Sequence, residues 1–114
     1  TGVGGFIGFH LAENLLKKGH TIIGVDNLNN YYDVNLKKDR IKNLKNLKKK
    51  FIFFKDDISG SKFVNKFLLK DFSYIINLAA QAGVRYSIEN PHAYVSSNLV
   101  GFVNIIELAK KKKN

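Results

Sequence analysis

The stretch TGVGGFIG, residues 1–8, places glycine at positions 2, 5 and 8, the spacing G-x-x-G-x-x-G, and runs straight into an amphipathic segment. Glycines so spaced let backbone N–H groups and a helix N-terminus come close to a pyrophosphate, where a Cβ would obstruct the approach. A G-x-G-x-x-G loop starting at Gly2 would need glycine at Ile7, and no Gly-Lys-Ser/Thr of a triphosphate-binding loop is present. By itself the pattern also fits a tight entry into a helix. Asp26, 18 residues beyond Gly8, closes the next β-branched run, TIIGVD. An acid there can accept the hydroxyls of an adenosine ribose and repels a 2′-phosphate, which favours NAD over NADP. The pair Asp26–Asn27 reads equally as a plain turn after a strand.

Metal and thiol chemistry find no support. His10, His20 and His92 stand far apart without ligand spacing, and there is no cysteine for a disulfide or a thiolate site. A cysteine-free chain fits a cytoplasmic location. No apolar run approaches the roughly 20 residues of a membrane span, and no signal-peptide pattern is visible, so no membrane partner is expected. The net charge of +10 raises nucleic acid as a partner. Yet nearly all of it is lysine, with arginine only at Arg40 and Arg85, and Lys, Asn, Ile and Phe together dominate the chain. All four have A/T-rich codons, so nucleotide bias accounts for the charge and no nucleic-acid partner is expected.

The elements that must position the loop and the acid alternate in type. Residues 5–18 space Phe6, Ile7, Leu11, Leu15 and Leu16 as one helical face, stopped by Gly19. Residues 21–26 read as a buried parallel strand and 27–33 as turn. Val34 to Lys50 predicts an amphipathic helix, with Leu36, Ile41, Leu44 and Leu47 apolar and the lysines on a solvated face. FIFFKDDI (51–58) is a second strand, 59–72 holds a helix, and SYIINLAA (73–80) is a third strand. After a loop, Pro91 opens a final helix with Val95, Leu99, Phe102, Val103, Ile106 and Ala109 on its apolar face. Strands alternating with helices predict an α/β, doubly wound parallel sheet in one domain, residues 1–114, without a linker or repeat.

The blocks TGVGGFIG, DNLNNYYDVNLK, DDI and LAAQAGVRYSIENPHAYVSSNLVG, in this order, resemble the N-terminal part of an extended short-chain dehydrogenase/reductase of the nucleotide-sugar epimerase group. DNLNNYYDVNLK and the last block are especially similar to the UDP-glucuronate 4-epimerases. The resemblance implies a partial Rossmann-like sheet whose first strand, the one that would carry the glycine loop, is missing, and it implies NAD as cofactor. Thr1, Gly2, Gly5, Phe6, Ile7 and Gly8 would surround the pyrophosphate, Asp26 with Asn27 the ribose, and Asp57 and Ile58 the adenine. Leu78, Ala79, Ala80 and Gln81 would line the path to the nicotinamide, and Asn98, matching an asparagine of the following helix, would join the cofactor-binding residues. Arg85, Tyr86 and Ser87 lie where such enzymes approach a UDP-sugar. Arg85 also fits a loop arginine bound to backbone carbonyls. Gly4 stands where alanine is commoner, and Asn77 where histidine often precedes LAA.

The chemistry implied is removal of a hydride from the sugar C4, rotation of the 4-keto intermediate and return of the hydride to the other face. A tyrosine acts as base, assisted by a lysine four residues later. Four residues after Tyr31, Tyr32, Tyr74, Tyr86 and Tyr94 stand Asn35, Leu36, Leu78, Asn90 and Asn98, so no catalytic residue is assigned. The expectation is a cofactor-binding piece of a homodimeric epimerase, its sugar-nucleotide-binding part absent and the piece alone unstable and inactive. Another sugar-nucleotide epimerase or a 4,6-dehydratase is the neighbouring reading. A non-catalytic NAD-binding regulator is the reading of a different class.

Overall fold

The computed structural model describes residues 1–47 and 49–112. They fall into two units, Thr1–Asp56 and Asp57–Asn114, each with its own apolar centre.

In the first unit, helix α1 (Phe6–Lys17) begins directly behind Gly5. It is closed by Gly19, at φ 90°, whose N–H reaches back to the Leu16 carbonyl at 3.0 Å. Strand β1 (Ile22–Asp26), helix α2 (Val34–Asn46) and strand β2 (Phe51–Lys55) follow. The two strands pair in parallel, Ile22 opposite Phe51 and Asp26 opposite Lys55, with α2 as the crossover that parallel neighbours need. This is the α/β arrangement the alternation predicts. Helix α2 opens on Asp33, whose carboxylate accepts the Asn35 N–H at 2.8 Å. It ends at Asn46 rather than Lys50, and Lys48 lies outside the described residues.

The core of this unit joins Val3, Ala12, Leu16, Ile41 and Leu44, with Phe9, Ile22, Leu47, Phe51 and Phe53 packed against it. Two expected faces are corrected. On α1, Phe6 and Ile7 are each 66% exposed, and the buried stripe is Gly8, Ala12 and Leu16, whose small first members bring the helix backbone close to its neighbours. On α2, Leu36 is exposed while Lys37 joins Ile41 and Leu44 in the buried stripe, because positions 37, 41 and 44 share one helical face. Strand β2 stops short of Ile58. One further bond, from the Asp56 N–H to the Asp26 carbonyl at 3.2 Å, prolongs the pairing. The Asp57 carboxylate then accepts the Ser59 N–H at 2.8 Å and turns the chain away.

In the second unit, helix α3 (Phe63–Leu68) packs on helix α6 (Gly101–Lys112). Its core holds Ile58, Phe63, Phe67, Ile105 and Leu108. A Cβ at Gly101 would lie 2.5 Å from Ile58 Cγ1, so only glycine admits this approach. The helical run expected from Pro91 is present as α5 (Pro91–Tyr94), a π-helical stretch (Val95–Val100) and α6. Lys113 and Asn114, expected at its end, lie outside the described residues. The close approach at Gly101 turns the stripe Gly101, Ile105 and Leu108 inward. The face expected to be buried, Val95, Leu99, Phe102, Val103, Ile106 and Ala109, is therefore the exposed one.

Two further expectations change. No strand forms over residues 73–80, where Tyr74, Ile76 and Leu78 are exposed; a strand exists only through a neighbouring ladder, and none runs along this segment among the described residues. Helix α4 (Val84–Glu89) occupies what reads as loop in the sequence. It is six residues long and buries none of them, so it leaves no apolar period to find.

Candidate functional site

The glycine loop is shaped by its own backbone. Gly2 adopts φ 71°, its carbonyl accepts the Gly5 N–H at 3.0 Å, and the first helical bond of α1 runs from the Phe9 N–H to the Gly5 carbonyl. The N–H groups of Phe6, Ile7 and Gly8 thus form a first helical turn without intrahelical acceptors. A Cβ on Gly8 would lie 2.1 Å from the Gly2 oxygen, so a side chain there would break the loop. The loop hangs on β1 through the Val3 N–H, which reaches the Val25 carbonyl at 3.3 Å. Three orphan donors at the positive end of a helix suit an anion of pyrophosphate type.

Asp26 is buried at the end of β1. Its Oδ2 accepts the Gly4 N–H at 2.9 Å and its Oδ1 accepts the Leu28 N–H at 2.8 Å. Of the two sequence readings of this acid, the turn after the strand is the one these bonds realise. The carboxylate makes the turn into residues 27–29, and it also clasps the glycine loop; an ionised carboxylate has roughly four acceptor positions, so it keeps capacity for ribose hydroxyls. Leu28 pays for the turn with φ 53°, a left-handed conformation unusual for leucine. Asn27 sits in the same turn, its Oδ1 accepting the Asn29 N–H at 3.0 Å. A Cβ on Gly4 would stand 3.0 Å from Asp26 Oδ2, which ties the departure at Gly4 to the closeness of this clasp. Thr1 is half-buried.

Two residues that the sequence reading left on a solvated basic face belong to this cluster. The Lys37 ammonium donates to Asn29 Oδ1 at 2.8 Å and stands 3.9 Å from Asp26 Oδ1, with only 8% of its side chain exposed. Arg40 donates to the Gly4 carbonyl at 3.0 Å and lays its guanidinium 6.0 Å from the Phe6 ring centre. Helix α2 thus presents a cation to the acid and a clamp to the loop, one turn apart. The signal was available: Lys37 falls in the i, i+4, i+7 register of Ile41 and Leu44, which puts a lysine on the buried stripe.

In the second unit, Asp57 Oδ1 accepts both the N–H and the hydroxyl of Ser59, and the Ile58 carbonyl accepts Asn104 Nδ2 at 2.7 Å. Ser96 donates to the Ser59 hydroxyl at 2.9 Å. Leu78, Ala79 and Ala80 run without regular structure into Gln81, which is buried. Asn98 is brought to Gln81: its Oδ1 accepts the Gln81 N–H at 2.8 Å and its Nδ2 donates to the Gln81 carbonyl at 2.9 Å. Arg85 is exposed on α4, where Ser87 donates to the Val84 carbonyl and the Tyr86 hydroxyl accepts Asn90 Nδ2. Gly2 to Gly8, Asp26 and Asn27 are gathered in one unit, and Gln81 and Asn98 in the other.

The family model described as GDP-mannose 4,6 dehydratase matches residues 1–114. Protein CapI of Staphylococcus aureus is 50% identical over 96% of this chain and 33% of its own length. The UDP-glucuronate 4-epimerase of Thermodesulfobacterium geofontis is 48% identical over 96% of this chain and 34% of its own. Among solved structures, the Y149F mutant of the Bacillus cereus UDP-glucuronic acid 4-epimerase, in complex with UDP-4-deoxy-4-fluoro-glucuronic acid and NAD, superposes with a TM-score of 0.84. It is 32% identical, over 96% of this chain and 34% of that one. The chain spans a quarter to a third of the length of the curated relatives it matches. With a glycine loop on an α/β frame and a family match along its whole length, the chain belongs to the GDP-mannose 4,6 dehydratase family, within the extended short-chain dehydrogenase/reductases.

Proposed function

We propose that this chain is the cofactor-binding part of an NAD-dependent epimerase that inverts C4 of UDP-glucuronate. The observation that carries the cofactor is the cluster of the first unit: the N–H groups of Phe6, Ile7 and Gly8 with Asp26 at the end of β1. Phe6 to Gly8 would hold the pyrophosphate and Asp26, flanked by Asn27 and Lys37, the ribose. Bound NAD supplies the acceptor and later the donor of the C4 hydride. This chain's residues bind and orient. Lys37 balances the charge of Asp26, and Arg40 fixes the Gly4 carbonyl so that the loop keeps its shape.

The substrate rests on likeness: relatives named as UDP-glucuronate 4-epimerases match nearly the whole chain at 41–48% identity. Arg85, exposed at the start of α4, carries a guanidinium suited to a carboxylate or phosphate, with Tyr86 and Ser87 beside it. No Tyr-x3-Lys pair occurs in the 114 residues, so no proton transfer at the sugar is assigned to them, and turnover by residues 1–114 alone is not expected. A homodimer is part of the proposal, supported by the exposed apolar face of α6. So is a cytoplasmic location. No helix among the described residues is long and apolar enough to cross a membrane.

The test is chromatography of UDP-glucuronate incubated with the intact protein carrying this chain. Interconversion with UDP-galacturonate, without consumption of added NAD, is the expected result. Turnover of a neutral sugar nucleotide with the uronate untouched would overturn the substrate.

A further inference from the structure

Residues 73–80 form no strand among the described residues, and the chain beyond them is bonded at two consecutive points by one helical run. Asn98 meets both backbone groups of Gln81, at 2.8 and 2.9 Å, as a residue of a neighbouring strand would. Tyr94, four positions earlier, places its hydroxyl, with one proton to share, between the carbonyls of Ala82, at 2.8 Å, and Gly83. Gly83, at φ 101°, is the residue from which α4 starts, and its carbonyl also accepts the Ser87 N–H at 3.3 Å. The Tyr94 ring stands 6.2 Å from the ring of Tyr86 on α4. The two anchoring residues lie either side of the junction between α5 and the π-helical stretch.

We propose that Tyr94 and Asn98 form a latch that sets the backbone of Gln81–Gly83 and so aims α4, making both of them positioning residues for the sugar nucleotide. The inference rests on the functional reading above for its substrate, and on hydrogen bonds alone for the latch. Asn98 gives one acceptor position of its Oδ1 and one N–H of its Nδ2 to Gln81, and both bonds hold the segment. Tyr94 acts one step further along, on the peptide that leads into Arg85, Tyr86 and Ser87.

The experiment compares Asn98→Ala and Tyr94→Phe with wild type in the intact protein, first by amide hydrogen exchange without ligands. In Asn98→Ala, exchange at the Gln81 N–H is expected to rise about tenfold or more, the scale of one lost hydrogen bond, with α6 amides unchanged. In Tyr94→Phe, which keeps the ring, the Ser87 N–H is the one expected to quicken. Kinetics then separate positioning from structure: Tyr94→Phe should raise KM for UDP-glucuronate about tenfold, on the same scale, with kcat within about twofold. Unchanged exchange at Gln81 in folded Asn98→Ala overturns the latch. So does a Tyr94→Phe protein with unchanged KM and Ser87 exchange. Wild type without turnover of UDP-glucuronate overturns the functional reading instead, and the exchange results still decide the latch, faster exchange upholding it and unchanged exchange refuting it.

Discussion

The two units hold their candidate site residues by different means. In Thr1–Asp56 the acid and the glycine loop sit at the end of a paired strand, with a helix supplying Lys37 and Arg40 as braces. In Asp57–Asn114 no ladder runs along the segment leading to Gln81 among the described residues, and side chains of a helical run bond the backbone of Gln81–Gly83. The difference teaches where each part is vulnerable. A ladder spreads its load over many backbone bonds, whereas a latch of two side chains can be removed by two substitutions.

The strongest way to break the first half of this comparison is Gly8→Ala. Its Cβ would fall 2.1 Å from the Gly2 oxygen, inside any tolerable contact, so the loop must open. A loss of about 2–3 kcal/mol in stability is expected, the upper part of the range for overpacked sites, and NAD binding should vanish with it. Urea unfolding with and without NAD measures both.

Next in size is Lys37→Met, which keeps the apolar stem in the stripe and removes the ammonium. A buried carboxylate left without its cation is costly, and the Asp26–Lys37 separation of 3.9 Å puts the pair at the edge of direct contact. We expect a loss of about 2 kcal/mol, below the usual value for a broken buried pair because two backbone N–H groups still satisfy Asp26. Denaturant titration against Lys38→Met, on the exposed face, is the check. A weaker effect follows from Arg40→Lys, since a lysine cannot place a planar donor on the Gly4 carbonyl while covering the Phe6 ring; about 1 kcal/mol is expected. The smallest change has the opposite sign. Leu28→Gly relieves the left-handed backbone at φ 53° and should cost nothing, or stabilise by a few tenths of a kcal/mol.

What could be read from the sequence follows the same division. Glycine spacing and an acid after a β-branched run carry their chemistry in local order, so the loop and Asp26 were legible without a structure. The parallel pairing of β1 with β2 followed from alternation. Lys37 was not legible as a site residue because its charge outweighed its register. The strand expected at 73–80 has the composition of a strand, and composition says nothing about whether a neighbour is there to pair with it. Helix α6 carries apolar residues on two sides; which side turns inward was decided by the approach of Gly101 to Ile58, a contact 43 positions apart in the chain that no local pattern encodes.

The central claim is that the loop and acid of the first unit form an NAD site selective at the ribose. Titration of NAD and NADP into the intact protein, wild type and Asp26→Asn, tests it most directly. The account predicts that wild type binds NAD at least about tenfold more tightly than NADP, the effect of one charged group on a 2′-phosphate, and that Asp26→Asn loses most of that ratio. The same preference in both proteins, or none in either, would contradict it.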